Sequence, residues 1–175
     1  MSAKKTDLER YIRSIPDWPQ QGVLFRDITP LLADAEALAA AVDALSSDFA
    51  DAGVEYVAAV EARGFIFGAA VARRLGVGFV PIRKKGKLPY ETKSVTYELE
   101  YGTDTLEVHS DAVRNGAKVL MVDDLLATGG TMAAACKLIE QIGGHVVAIT
   151  FLIELSDLAG REKLRGYDIH AVITY

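Results

Sequence analysis

The chain has 175 residues, of which 19 are basic and 24 acidic, so its formal net charge is −5. This length predicts one domain, residues 1–175, and the acidic balance disfavours a general nucleic-acid binder while permitting a local basic patch. Cys136 is the only cysteine, so an intrachain disulfide is impossible. No apolar run approaches the ~20 residues of a membrane span, and the first residues lack an apolar signal region. We therefore expect a cytoplasmic enzyme with no membrane partner.

The first third of the chain predicts scaffold elements around one short exposed loop. Apolar residues at helical spacing predict a short helix over residues 6–15. Residues 22–27 are flanked by Pro and Gly and are too short for a central strand, so they predict either a surface loop or a lid over a site. Residues 34–52 have one apolar face and predict a long helix, with Asp34 as its N-cap.

The rest of the chain alternates between apolar runs and helical patterns. The predicted strands are 56–60, 79–82, 94–100, 105–109, 119–122, 145–155 and 168–174, and the predicted helices are 65–75, 133–142 and 156–164. This alternation predicts an α/β fold with a mainly parallel central sheet flanked by helices. The polar strands on either side of Gly102 predict a protruding hairpin, which would act as a flexible flap.

The chemistry concentrates directly after the strand at 119–122, where Asp123 and Asp124 precede a turn of small residues. That turn consists of Ala127, Thr128, Gly129, Gly130 and Thr131. Backbone amides in such a turn, at the start of a helix, can bind a phosphate. The two acids would repel a bare phosphate but fit a ligand with sugar hydroxyls or one that arrives with a metal, and a phosphorylated ribose satisfies both requirements. The alternative is an ordinary loop with incidental acids.

Two other loops carry candidate anion-binding residues. Arg63 follows the strand at 56–60 and lies at a helix N-terminus, which is a favourable place to meet an anion. Residues 83–87 contain four cations, which are typical of a solvated face, a nucleic-acid patch or an anion-neutralising loop.

The stretch V-D-D-L-L-A-T-G-G-T, residues 122–131, resembles the phosphoribosyl pyrophosphate (PRPP) motif of the type I phosphoribosyltransferases. The Leu-Leu-Ala sequence at residues 125–127 of this motif is similar to that of the family members that use adenine. The resemblance extends through most of the chain, at residues 22–30, 61–68, 82–89, 99–102 and 160–164. It implies a hood at 1–33, a core at 34–175 and a flap at about 83–109.

The resemblance also implies residue roles on the pyrophosphate side of PRPP. The implied pyrophosphate-binding residues are Glu61, Ala62, Arg63, Arg83 and Lys87. The peptide between Glu61 and Ala62 can be cis in this family, and Arg83 is expected to act across a dimer interface. Arg63 is further expected to serve catalysis by absorbing charge on the departing pyrophosphate.

On the base side, the resemblance implies that Leu24, Phe25 and Arg26 hold adenine, with Phe25 stacking on it and Leu155 forming the far wall. Glu100 alone would suggest an exposed hairpin acid. The resemblance instead makes it the catalytic residue that acts on the adenine proton, with Tyr101 helping to enclose the site.

The implied reaction is adenine plus PRPP giving AMP and pyrophosphate, with Mg²⁺ carried by PRPP, no metal bound by protein ligands alone, and a homodimer as the assembly. One alternative is a related enzyme that uses a 6-oxopurine or orotate. The other is a PRPP-sensing nucleic-acid regulator of the same fold. The basic run at 83–87 is the only feature that would favour a regulator.

Overall fold

The computed structural model describes residues 7–98 and 102–175. The strands are β1 (Arg13–Pro16), β2 (Leu24–Asp27), β3 (Tyr56–Val60), β4 (Gly78–Lys84), β5 (Thr92–Glu98), β6 (Thr103–His109), β7 (Lys118–Leu126), β8 (His145–Glu154) and β9 (Ile169–Thr174). The α-helices are α1 (Thr29–Ala33), α2 (Ala35–Ser46), α3 (Arg63–Leu75) and α4 (Gly130–Gln141). Short 3-10 helices cover Leu8–Tyr11, Ser47–Phe49, Ser156–Leu158 and Gly160–Leu164.

The larger sheet has the strand order β5-β6-β4-β3-β7-β8-β9. Strands β4, β3, β7, β8 and β9 are parallel, and the β5–β6 hairpin joins antiparallel to β4 at one edge. The chain passes from β3 to β4 on one side and later returns to β7 on the other. This reversal opens a crevice at the carboxyl ends of β3 and β7, which is where α/β proteins bind ligands. The predicted α/β fold class is therefore confirmed.

The sheet is buried on both faces, so its central strands are continuously apolar. Adjacent residues of β7 illustrate this, because Leu120 packs on the side of α2 and α3 while Met121 packs on the side of α4. No helix within residues 7–98 and 102–175 is long and apolar enough to cross a membrane.

Two helix predictions were wrong. The segment predicted as a helix over 6–15 forms a 3-10 turn at Leu8–Tyr11 and then strand β1. β1 pairs antiparallel with β2, with Ile15 opposite Phe25, so strand pairing overrides the local helical spacing. The segment predicted as a helix at 156–164 is divided into two 3-10 helices by Ala159, whose φ of 49° lies in the left-handed region.

Candidate active site

The small-residue turn lies where β7 ends and α4 begins, at the crevice of the sheet. Strand β7 continues through both acids to Leu126, so these acids belong to the strand and not to the loop that the sequence predicted. Gly129 is the N-cap of α4 and has φ 78°, a left-handed conformation that favours glycine. Since glycine has no side chain to accept from the first amides of the helix, those donors suit a ligand anion.

A cavity of about 130 Å³ is lined by all of the predicted phosphate-binding turn except Gly130. Thr128, Gly129 and Thr131 line it with Asp123, and Phe151 and Met132 form apolar parts of its wall. Asp123, one of the two acids that the sequence assigned to the sugar, and the turn assigned to the phosphate therefore share one cavity, whereas Asp124 does not line it.

The segment that starts at Gly160 packs against the back of this turn. A Cβ added to Gly160 would overlap the carbonyl oxygen of Ala127, and a Cβ added to Gly129 would overlap the carbonyl oxygen of Gly160. Arg161 holds the segment in place, because its guanidinium donates two hydrogen bonds of 2.7 Å to the carboxylate of the buried Glu154. In the sequence this segment was marked only by its resemblance to the family, since close approach of two backbones leaves no local pattern.

The two acids of β7 have different partners. Asp124 is buried, and its Oδ2 forms a 2.8 Å ion pair with Nε of Arg63, so the pair spans the crevice from the end of β3 to β7. Oδ1 of Asp123 accepts a 2.9 Å hydrogen bond from the backbone N–H of Asp124. Burial, and secondly the neighbouring carboxylate of Asp124, raise the pKa of Asp123 well above its usual value. Burial also raises the pKa of Asp124, against the opposing effect of Arg63.

The second loop brings Glu61 together with the basic run. The Glu61–Ala62 peptide is cis. Oε2 of Glu61 lies 2.7 Å from Nζ of Lys87 and 3.5 Å from Nη2 of Arg83, and Oε1 accepts from the Lys84 amide at 2.7 Å. Burial acts to raise the pKa of Glu61, but these hydrogen bonds outweigh it, so the pKa lies below its usual value. Nε of Arg83 is buried without a hydrogen-bond partner among the described residues, which leaves a donor for a ligand.

The small β1–β2 sheet brings one predicted base-binding residue to the crevice. The Phe25 ring lies 4.4 Å from the Trp18 ring in an edge-to-face arrangement, and Cζ of Arg63 lies 5.4 Å from the Phe25 centroid. Phe25, Arg63 and Asp124 thus form a continuous series of contacts.

The remaining predicted base-binding residues have other surroundings. Leu24 is 47% exposed, and the backbone N–H of the half-buried Leu155 donates to the Leu126 carbonyl at 2.9 Å. The guanidinium of Arg26 lies 3.6 Å above the Tyr175 ring, and its Nη1 donates to Ser14 Oγ at 2.6 Å. Sequence reasoning missed Tyr175, because its proximity to Arg26 depends on the fold.

Two predicted residues, Glu100 and Tyr101, lie outside the described residues. Among residues 7–98 and 102–175, no group of three His, Cys, Asp or Glu side chains is arranged to hold a metal ion.

Comparison with known proteins places this geometry in a family. Residues 29–172 match the model of the phosphoribosyl transferase domain, so the chain belongs to the phosphoribosyl transferase family. Adenine phosphoribosyltransferase of Thermotoga maritima is 54% identical over 171 residues, covering 98% of this chain and 99% of the relative. Within the family the chain therefore belongs with the adenine phosphoribosyltransferases, which confirms the resemblance seen in the sequence.

Solved structures of adenine phosphoribosyltransferases have the same fold as this chain. The adenine phosphoribosyltransferase of Thermoanaerobacter pseudethanolicus is 54% identical and superimposes with a TM-score of 0.94, covering 98% of this chain and 100% of that one. The Saccharomyces cerevisiae enzyme, in complex with an imino-altritol bisphosphate and adenine, is 38% identical with a TM-score of 0.91, covering 96% of this chain and 97% of that one.

Proposed function

We propose that this protein transfers the 5-phosphoribosyl group from PRPP to adenine, giving AMP and pyrophosphate. The observation that carries the proposal is the shared cavity of Asp123 and the turn after β7, at the crevice that the Arg63–Asp124 pair spans. A phosphorylated sugar needs hydrogen-bond acceptors for its hydroxyls and amide donors for its phosphate, at one site and in this order.

The turn after β7 would anchor the 5-phosphate through the amides that begin α4 and the hydroxyls of Thr128 and Thr131. Asp123 and Asp124 would accept hydrogen bonds from the ribose hydroxyls. Binding of these groups, which are remote from the reacting bond, would hold the anomeric carbon in position for reaction. Such positioning lowers the activation free energy of the transfer. The two carboxylates would also lie near the positive charge that develops on the sugar as its bond to pyrophosphate breaks.

Three cations would receive the departing pyrophosphate. Arg63, Arg83 and Lys87 are now held by Asp124 and Glu61, and the entering pyrophosphate group would exchange with these carboxylates. Mg²⁺ would enter with PRPP as part of the substrate and neutralise further phosphate charge. The unpartnered Nε of Arg83 would supply an additional donor.

The base would lie against Phe25, whose position is fixed by Trp18, with main-chain groups of Leu24 and Arg26 reading the purine edge and Leu155 forming the far wall. Glu100 would accept the adenine proton. Tyr101 and the flap, residues 83–109, would close over the site and exclude water, since water would hydrolyse PRPP. Residues 1–33 would serve as the hood of a single domain.

We further propose a homodimer, in the cytoplasm and without a nucleic-acid partner. Arg83, once released from Glu61, would act across the dimer interface on the pyrophosphate bound by the partner subunit. Sedimentation equilibrium would test the dimer. The absence of a nucleic-acid partner would be tested by electrophoretic mobility shift with DNA and RNA, where a salt-dependent shift would contradict it.

The assay that tests the activity compares adenine, hypoxanthine, guanine and orotate as acceptors, with PRPP and Mg²⁺. We expect turnover with adenine and, at most, marginal turnover with the other three. Preferred turnover of a 6-oxopurine or orotate would refute the assignment of adenine as the substrate.

A substitution tests the sugar-binding acids. Asp124→Asn should lower kcat/KM for PRPP roughly 10- to 100-fold, because it removes charged hydrogen bonds worth about 1.5–3 kcal/mol. Asp43→Asn is the matched control, since Asp43 forms a 2.8 Å ion pair with Nε of Arg74 on the helices, as Asp124 does with Arg63. Equal kinetics for the two variants would remove Asp124 from substrate binding.

A further inference from the structure

The β5–β6 hairpin makes direct contact with the turn after β7 through one side chain. The Thr131 hydroxyl donates a 3.3 Å hydrogen bond to the Tyr97 hydroxyl. Tyr97 lies on β5, within the flap predicted at about 83–109, and Thr131 lies in the first turn of α4. This bond joins the predicted flap to the predicted phosphate-binding turn, which had separate roles in the sequence analysis.

Packing fixes the position of the Tyr97 ring. A Cβ built on Gly130 would lie 3.8 Å from Cδ2 of Tyr97 and 3.6 Å from the Glu98 carbonyl oxygen, so β5 lies directly on the start of α4. Tyr97 is half-buried, and the backbone pairing of β5 with β6 places it opposite Asp104. The packing of the hairpin on the start of α4 therefore positions the phenol oxygen beside Thr131.

The chemistry of a hydroxyl determines what a bound phosphate would do to this contact. A threonine hydroxyl has one proton to donate and two lone pairs that accept. A phosphate in the turn accepts the hydrogen bond from that hydroxyl, because an ionised phosphate oxygen has no proton to donate. Thr131 can then keep its bond to Tyr97 only by accepting from it. The tyrosine hydroxyl can donate, so the hydrogen bond reverses direction and is retained, and chains of this kind strengthen one another.

We propose that Tyr97 is a positioning residue for the 5-phosphate: it holds the Thr131 hydroxyl aimed at the phosphate and donates to it when the phosphate is bound. The inference rests on the proposed placement of the 5-phosphate. It adds a residue on the hairpin to the recognition of that group, so that a 5-phosphate ligand contacts the hairpin indirectly, through Thr131.

Tyr97→Phe tests this, because it removes the hydroxyl and keeps the ring that packs on Gly130. We expect the KM for PRPP and the calorimetric Kd for AMP to rise roughly 2- to 10-fold, as for one lost neutral hydrogen bond. The KM for adenine and the Kd for pyrophosphate should not change. Tyr167→Phe is the matched control, since the Tyr167 hydroxyl bonds to Glu140 at the other end of α4 at 2.8 Å, and it should bind AMP like wild type.

The pair of variants forms a double-mutant cycle. Thr131→Val should weaken AMP binding by itself, and adding Tyr97→Phe should weaken it no further, because the tyrosine acts through the threonine. The inference would be overturned if the two substitutions raised the Kd for AMP by factors that multiply in the double variant. It would also be overturned if Tyr97→Phe bound AMP as well as Tyr167→Phe does. Neither result would contradict the proposed position of the phosphate. Unchanged AMP binding by Thr131→Val would overturn both the inference and the placement of the phosphate.

Discussion

Replacing Gly160 with alanine should weaken PRPP binding from outside the ligand cavity. Gly160 is not among the residues with positive φ, so alanine can adopt its backbone conformation. The added Cβ would nevertheless overlap the carbonyl oxygen of Ala127, and it would lie 2.8 Å from Cδ1 and 3.0 Å from Cγ of Leu126. Real Cβ atoms do not make such contacts, so one of the two segments must move.

The magnitude follows from what can move. Overpacking a well-packed site costs about 1–3 kcal/mol. The tightest contact is a backbone oxygen, and it cannot shift without its neighbours in the turn after β7. The Glu154–Arg161 pair restrains Gly160 from the other side. We therefore expect much of the displacement to fall on residues 127–131 and the KM for PRPP to rise about 10-fold, which corresponds to 1.4 kcal/mol of binding.

Gly166→Ala provides the matched control. Gly166 has φ 97°, and nothing lies within 4 Å of a Cβ built on it, so alanine there costs about 1–2 kcal/mol of backbone strain without a clash. Urea denaturation should show a similar loss of unfolding free energy for both variants, while steady-state kinetics should show a raised KM for PRPP only in Gly160→Ala. The same KM in both would mean that Gly160 stabilises the fold and has no role in shaping the turn.

Two further substitutions test the acids and the base side. Because the pKa of Asp123 is raised, the folded protein binds this proton more tightly than the unfolded chain, and its contribution to stability is lost as the pH rises through the folded-state pKa. Asp123→Asn should therefore raise the Tm at about pH 8 and change it little below about pH 4; calorimetry that shows a lower Tm at pH 8 would contradict this. Tyr175→Leu removes the ring under Arg26, so the KM for adenine should rise severalfold while that for PRPP stays constant. Tyr175→Phe keeps the ring and should behave as wild type, and equal adenine KM values for the two variants would refute the role of the ring.

The sequence predicted those parts of the site that are contiguous in the chain. Residues 119–131 contain the strand, the acids and the turn in order, and Asp34 was correctly assigned as a helix cap because it accepts from the amides of Glu36 and Ala37. Contacts between residues that are distant in the sequence could not be predicted from a local sequence pattern. The contact of Arg63 with Asp124 requires β3 beside β7, and that of Arg26 with Tyr175 requires the small sheet to meet the end of β9.

The strand at Arg13–Pro16 shows why a periodic pattern can mislead. Apolar residues spaced by three and four suit a helix, but Ile15 lies opposite Phe25 in a two-stranded sheet, and that partner is remote in the sequence. The same limit applied to Gly160, whose role depends on a backbone contact with Ala127 and not on its neighbours.

The carboxylates that hold Arg63 and Lys87 act as tethered counter-ions. A simple salt anion has to compete with these carboxylates, which are covalently part of the chain, so it gains little free energy by entering the crevice. A polyanion that reaches several cations at once would displace both acids. When such a product departs, the acids would return to their cations, so the crevice would not be left as an uncompensated cluster of positive charge. In the proposed reaction, the same ion pairs that keep simple anions out of the crevice would also help to release pyrophosphate before the next turnover.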